Sequence, residues 1–451
     1  MVPALDAGGF ARIEIGLVVH AAMLAARRRG VKRRRGGLLT SGMLSSVPDP
    51  RRTHDGAVPT AILAALVLVS LALRPQLAAI GPLSGRIVDD LAVSHAFVGL
   101  LTTIPILCMG LFAPAGPALA ARLGVRGAIG LAAGTVAAAG LVRAAAPSGI
   151  AILAVTFVIG IGTAVSGPLL AMFVRGDLPD HRVAGTAAYA GGTTLGQALA
   201  AGVAVPAAVL LGGWRASLAS VSAASALGVL AWLALTSAMA RPRPDRLASG
   251  QAVGRLRLPV RRPIVWALGL LFGVQSAVFY GINAWLPSFY VERGWDPAAA
   301  AVLLSVASFA GLVAIVIAPI ASRRGVQRRE LLTAAAGLVV VGIGGVVVLP
   351  LLAWIWAAVL GAGLGLMFTV VLTLPTDVAG DAQGAGGASA LMLLVGYLIA
   401  SVAPFALGAV RDLTGSFAVS LWLLLALAAT MVPMAWALSP ARLHQGGRAP
   451  R

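Results

Sequence analysis

The chain has 451 residues, 59% of them apolar and 11% charged, with a formal net charge of +19 and a mean hydropathy of +0.94. An ordinary soluble domain carries about 25% charged residues, so this composition excludes a soluble globular fold and makes lipid the natural solvent. The single cysteine, Cys108, excludes an intramolecular disulfide or a thiolate metal cluster.

Residues 1–57 stand apart from the rest, because an apolar stretch of about a dozen residues, "IGLVVHAAMLAA", runs into "ARRRGVKRRRGG". That stretch is too short to span a bilayer. Its charges follow the apolar part, whereas a secretory signal places them before it. The segment reads as a basic, disordered or interfacial tail, with Met43 as an alternative start and a polybasic lipid-binding role as the second reading.

Twelve apolar runs follow, over approximately 58–81, 96–117, 127–146, 150–174, 185–211, 216–239, 264–288, 299–321, 331–350, 354–376, 385–409 and 417–438. Each is near the ~20 residues that a helix needs to cross hydrocarbon. The short alternating segments of a β-barrel are absent from the sequence, and helices are the remaining way to satisfy the backbone in lipid. The predicted fold class is an all-α membrane protein.

A large positive charge can signify nucleic acid, but the distribution of basic residues explains it better. With the N-terminus inside, 28 of the 34 Lys and Arg fall on cytoplasmic segments. Arg86, Arg143 (at the outer end of its run), Arg215, Arg293 and Arg411 fall outside, and Arg74 alone falls well within a span. This is the positive-inside bias, and an even number of spans returns the C-terminus to the cytoplasm. Lysine occurs once, at Lys32, which together with abundant Ala and Gly points to a GC-rich bacterial genome. The expected location is therefore a bacterial plasma membrane, with no nucleic-acid partner.

The Pro-rich, basic stretch "RPRPDRLASGQAVGRLRLPVRR" divides six spans from six. The predicted units are a tail (1–57), a first bundle (58–240), a cytoplasmic linker (241–263), a second bundle (264–440) and a cytoplasmic tail (441–451). An offset near 201 residues brings the halves into register: Arg122-Leu-Gly-Val meets Arg323-Arg-Gly-Val, and Gly160 and Gly162 meet Gly361 and Gly363. Such duplication is a recurrent transporter plan, with the site at the interface of the halves.

The stretch "SLALRPQLAAIGPL" (70–83) sets Arg74 and Pro75 back to back in span one. All the acidic residues fall in tails, loops or span ends, so Arg74 has no countercharge built in beside it. A charge at helix centre costs on the order of 3 kcal/mol on the more lenient scales, and such residues face a bundle interior or a pathway. The missing partner reads as an anion, for which a guanidinium is a planar fork of donors. Two other readings stay open: snorkelling to the outer interface, or bonding to carbonyls freed by Pro75, which removes the N–H that Leu71 would accept.

The repeat offset carries position 74 onto Gln275, so span seven offers Gln275, Ser276, Tyr280 and Asn283 opposite Arg74, and Tyr189 and Tyr397 add hydroxyls from spans five and eleven. An uncharged amide partner suits a small monovalent anion. Each of these residues also reads as polar glue between helices. His95, at the mouth of span two, is the candidate for proton coupling, and Arg122, Gly124, Arg323 and Gly325 are the candidate gating loops. No metal-ligand cluster, cofactor fingerprint or nucleophile–base pair is present in the sequence, so neither an enzyme nor a cofactor is expected. "GAGLGLMF" (361–368) reads as helix packing.

Taken together, "LRPQLAAIGPL", "GLLTTIPILCMGLFAP" (99–114), "GGWR" (212–215), "GVQSAVFYGINAWLPSFYVERGW" (273–295) and "GYLIASVAPFALGAVRDLTGSF" (396–417) resemble the cyanate and 2-nitroimidazole transporter family of the major facilitator superfamily. The resemblance covers about residues 60 to 438. It implies twelve helices in two pseudo-symmetric six-helix bundles, alternating access to a central site, and substrates such as cyanate and nitroimidazoles. Two positions differ from the family pattern: Ala72 stands where Asn is common, and Ala121 stands where the loop motif carries an acid. The expected function is transport of a small anion or anion-like heterocycle by a monomer. The alternatives are an exporter of neutral drug-like compounds and, in another class, a membrane-embedded sensor.

Overall fold

The computed structural model describes residues 60–237, 258–378 and 382–437. Most of the expected linker, both expected tails and the Met43 start lie outside the described residues. Within them are twelve helices long and apolar enough to cross a membrane. Spans one to six are Thr60–Ala78, His95–Phe112, Ala115–Ala145, Gly149–Asp177, Pro179–Leu210 and Trp214–Ser237. Spans seven to twelve are Pro263–Val291, Pro297–Arg323, Arg328–Val348, Pro350–Val378, Gly384–Thr414 and Phe417–Ala437. The chain is a multi-pass, all-helical membrane protein.

Burial separates the spans by role. Span seven has 72% of its apolar window inside the protein, whereas spans six, eight and twelve have 33%. Span seven is therefore a central helix, and the outward faces of the other three, with residues such as Leu227, Leu230, Val316 and Trp422 exposed, are suited to lipid. A helix that is apolar on every side has no preferred face in water, and only neighbouring helices choose which side is buried.

Three crossings join the halves. The helix Ile80–Leu91, which follows span one, meets span seven where the Ser84 and Ser288 hydroxyls lie 2.7 Å apart. Span five meets span eight where Ser305 Oγ donates to the Ala198 carbonyl at 2.7 Å. Spans two and eleven also approach closely: a Cβ at Gly99 would stand 2.5 Å from the Pro404 carbonyl oxygen, and one at Gly408 would stand 2.6 Å from that of His95. Only glycine permits backbones to come so near. A cavity lies below this seam.

Span one is broken where the site forms. Its first helix ends at Leu71, residues 72–74 form a tight turn, and a four-residue helix resumes at Pro75. Pro75 supplies no N–H to the Leu71 carbonyl, while its fixed φ suits the first position of the new helix. The loop expected at Arg122–Gly124 falls inside span three, which kinks at Gly124 (φ 73°), whereas the loop after span eight turns on Gly325 (φ 89°). These two positions are 201 residues apart, so the two halves share a glycine of positive φ as well as their spacing.

Candidate functional site

The break in span one delivers Arg74 to the wall of a central cavity of about 110 Å³. Opposite it are Gln275, Ser276, Tyr280 and Asn283 of span seven and Tyr397 of span eleven. The Arg74 guanidinium faces the hydroxyls of both Tyr280 and Tyr397. One cation from the first half thus meets two phenols from the second.

The hydrogen bonds around the cavity decide which atoms remain for a ligand. Ser276 Oγ donates to Gln275 Oε1 at 3.2 Å, which leaves the Gln275 amide hydrogens as the group available to an acceptor. Asn283 Nδ2 donates to the Phe279 carbonyl of its own helix at 2.8 Å, so Asn283 presents its oxygen instead. Tyr280 Oη lies 3.8 Å from Met109 Sδ, a weak acceptor that an oxyanion readily outcompetes. Tyr397 is fixed from behind by an edge-on contact with Phe272, with ring centroids 5.3 Å apart.

The remaining wall is apolar and partly aromatic, made by Phe279, Leu304, Leu364 and Phe368. No acidic residue lines the cavity among the described residues. A guanidinium with uncharged donors around it and a flat apolar face beside it is chemically complementary to a small anion with a planar, weakly hydrated body.

Several expected positions lie elsewhere. Tyr189 does not line the cavity; it packs against the apolar cluster of the first half that contains Leu66, Val69 and Phe173. His95 also lies outside it, at the far end of span two. There its Nδ1 is 2.7 Å from Asp412 Oδ1, and the backbone N–H groups of His95 and Ala96 donate to the same carboxylate at 3.0 and 2.8 Å. The ring is edge-on to Phe417, with centroids 5.3 Å apart. Arg122 and Arg323 are exposed beside their left-handed glycines.

Arg143 requires a correction. The sequence places it on an outer connection, and the structure buries it at 1% exposure near the end of span three. Arg74 is therefore not the sole guanidinium buried among the helices. The local sequence, a helix end followed by Pro and Gly, is the same whether such an arginine snorkels outward or turns in. Sequence reading also missed Thr194 and Gln197 of span five, which line the cavity.

Twelve membrane-spanning helices in two halves, with a cavity between them that carries one guanidinium and a few hydroxyl and amide groups, define a membrane carrier. The sequence profile of the Major Facilitator Superfamily matches residues 63–404, and the chain belongs to that family. It is 28% identical over 362 residues to the 2-nitroimidazole transporter of Escherichia coli (strain K12), covering 80% of this chain and 90% of that one. It is also 28% identical over 364 residues to the cyanate transport protein CynX of the same strain, covering 79% and 91%. Among solved structures, a D-xylose-proton symporter superposes with a TM-score of 0.66 over 84% of this chain and 96% of its own, at 15% identity, which speaks to the fold alone.

Proposed function

We propose that the chain is a secondary or facilitative transporter of a small monovalent anion, or of an anion-like heterocycle resembling cyanate or a nitroimidazole, working by alternating access. The observation that carries the reading is Arg74 in the cavity wall, facing two phenols and an amide with no acidic lining residue among those described. A cation left without a protein anion is stabilised by a cargo that brings the charge. The apolar wall beside Phe279 and Phe368 suits a planar body that sheds water easily. Relatives named for cyanate and 2-nitroimidazole support the same class.

In this reading the protein lies in a bacterial plasma membrane with both termini cytoplasmic, as the basic loops require. The seam of spans two and eleven is then the closed outer gate. The Arg122–Gly124 kink and the Arg323–Gly325 loop lie on the inner side, where they act as hinges. His95 couples a proton to the gate rather than to the cavity, because its ring bonds the carboxylate that must be released when the outer ends part. One monomer holds the complete cavity.

The deciding experiment measures uptake and counterflow of cyanate, nitrate, small carboxylates and 2-nitroimidazole in proteoliposomes, with wild type, Arg74→Lys and Arg74→Ala. Arg74→Ala should lose about 100-fold or more in anion transport, and Arg74→Lys about tenfold, since a point charge lacks the planar fork. Equal rates for every anion in all three proteins would remove the recognition role. Retained transport of neutral compounds alone would mark an exporter of such compounds.

A further inference from the structure

Arg143 is among the largest fully buried side chains of the protein, and no ion pair is formed by it among the described residues. Its Nη2 donates both to the backbone carbonyl of Gln76 at 2.9 Å and to Gln76 Oε1 at 2.8 Å. Its Nε and Nη1 have no hydrogen-bond partner among the described residues. Gln76 is wholly buried, and its Nε2 passes the chain on to Ser222 Oγ of span six at 2.9 Å. Ser222 in turn donates to the Leu218 carbonyl of its own helix at 2.6 Å. Gly140 closes the cluster, since a Cβ there would stand 2.5 Å from Ser222 Oγ and 2.8 Å from the Gln76 amide.

This chain of bonds grips a particular segment. Gln76 lies in the four-residue helix Pro75–Ala78 that follows the break in span one, two residues beyond Arg74. A helix interrupted at residues 72–74 can pivot there, and the direction of the resumed helix sets where the Arg74 side chain reaches. The bonds from Arg143 to the main chain and side chain of Gln76 remove that freedom by tying the short helix to spans three and six. A buried cation is tolerated at this place partly because Arg143 lies in the last turn of span three, whose carbonyl end carries negative partial charge.

We infer that Arg143, acting through Gln76, is a positioning residue of the anion site: it holds the broken segment of span one so that Arg74 points into the cavity. The positioning rests on geometry alone, and the identity of the site's ligand rests on the proposed anion reading. Positioning to within about half an ångström separates a working site from a loose one, and a displacement of about 1 Å can cost 100-fold. Arg143 is not among the residues that line the cavity and so is not itself a binding residue.

The test follows phenylglyoxal modification of Arg74 by mass spectrometry in the full-length protein in proteoliposomes, with and without sodium nitrate or sodium cyanate. The proteins are wild type, Arg143→Gln, Arg143→Lys and Ser222→Ala; the last cuts the same chain of bonds with the least disturbance should Arg143→Gln fold poorly. Arg143→Gln should change the unprotected modification rate of Arg74 and raise the protecting anion concentration about tenfold. Arg143→Lys should restore most of both, and Ser222→Ala should shift both in the same direction as Arg143→Gln by a smaller factor. Variants that lose thermal stability while the rate and protecting concentration match wild type would overturn the inference, leaving Arg143 a packing residue. If neither anion protects Arg74 in wild type, the anion reading fails, while the unprotected rates across the variants still decide the positioning role.

Discussion

Replacing Asp412 by asparagine probes the seam between the halves with little change of shape. The carboxylate accepts from His95 Nδ1 at 2.7 Å and from the first two backbone N–H groups of span two at 3.0 and 2.8 Å. Those N–H groups have no partner within their own helix, and the helix N-terminus carries about half a positive charge. Asparagine keeps an acceptor oxygen but loses the charge. The difference between charge-assisted and neutral hydrogen bonds, with the dipole contribution added, comes to about 1–2 kcal/mol once discounted for a carboxylate side chain 26% exposed to solvent. That corresponds to a fall of roughly five- to thirtyfold in the ratio of the closed to the open arrangement of this end. Spin labels at Ile150→Cys and Leu351→Cys report the separation of the two halves there, since these side chains are 81% and 91% exposed, and Cys108→Ser removes the background thiol. Double electron–electron resonance should show a longer-distance population growing in Asp412→Asn. An unchanged distance distribution, with unchanged transport, would refute the claim that this contact holds the seam.

Three further outcomes follow from the same geometry. Gly99→Val places a Cβ 2.5 Å from the Pro404 carbonyl oxygen and 2.8 Å from Phe405 Cα, so spans two and eleven must part; the expected cost is about 1–3 kcal/mol, read as a lower melting temperature in detergent and a shift of the same label pair. Gln275→Leu removes the amide hydrogens facing the cavity and should raise KM for the transported anion about tenfold with Vmax nearly unchanged, as proteoliposome kinetics would show. Leu364→Trp fills part of a cavity of about 110 Å³ and should reject 2-nitroimidazole far more than cyanate in competition assays.

The transmembrane architecture was legible in the sequence because hydrocarbon imposes one requirement on every crossing: about 20 apolar residues with all backbone groups paired internally. The expected runs 150–174, 264–288 and 417–438 correspond to Gly149–Asp177, Pro263–Val291 and Phe417–Ala437, with differences of a few residues at the ends where helices fray. The duplication was legible too, since two glycines at one offset both adopt positive φ. Arg74 drew attention for a local reason, being a charge beside a helix-breaking proline.

Which residues meet was decided by the tertiary structure. Asp412 is 317 residues from His95 in sequence, and no periodicity joins them. Tyr189 and Tyr397 look alike as aromatics in glycine-rich spans, yet Tyr189 packs against the apolar cluster of its own half and Tyr397 lines the cavity, because helices apolar on every side carry no mark of which face turns inward. Arg143 shows the division most clearly. The sequence placed this charge on the outer side, and the packing of spans one, three and six determined that it turns inward to Gln76. Crossing the bilayer is a demand that each segment meets alone, so it can be read segment by segment; a site between helices exists only in their joint arrangement.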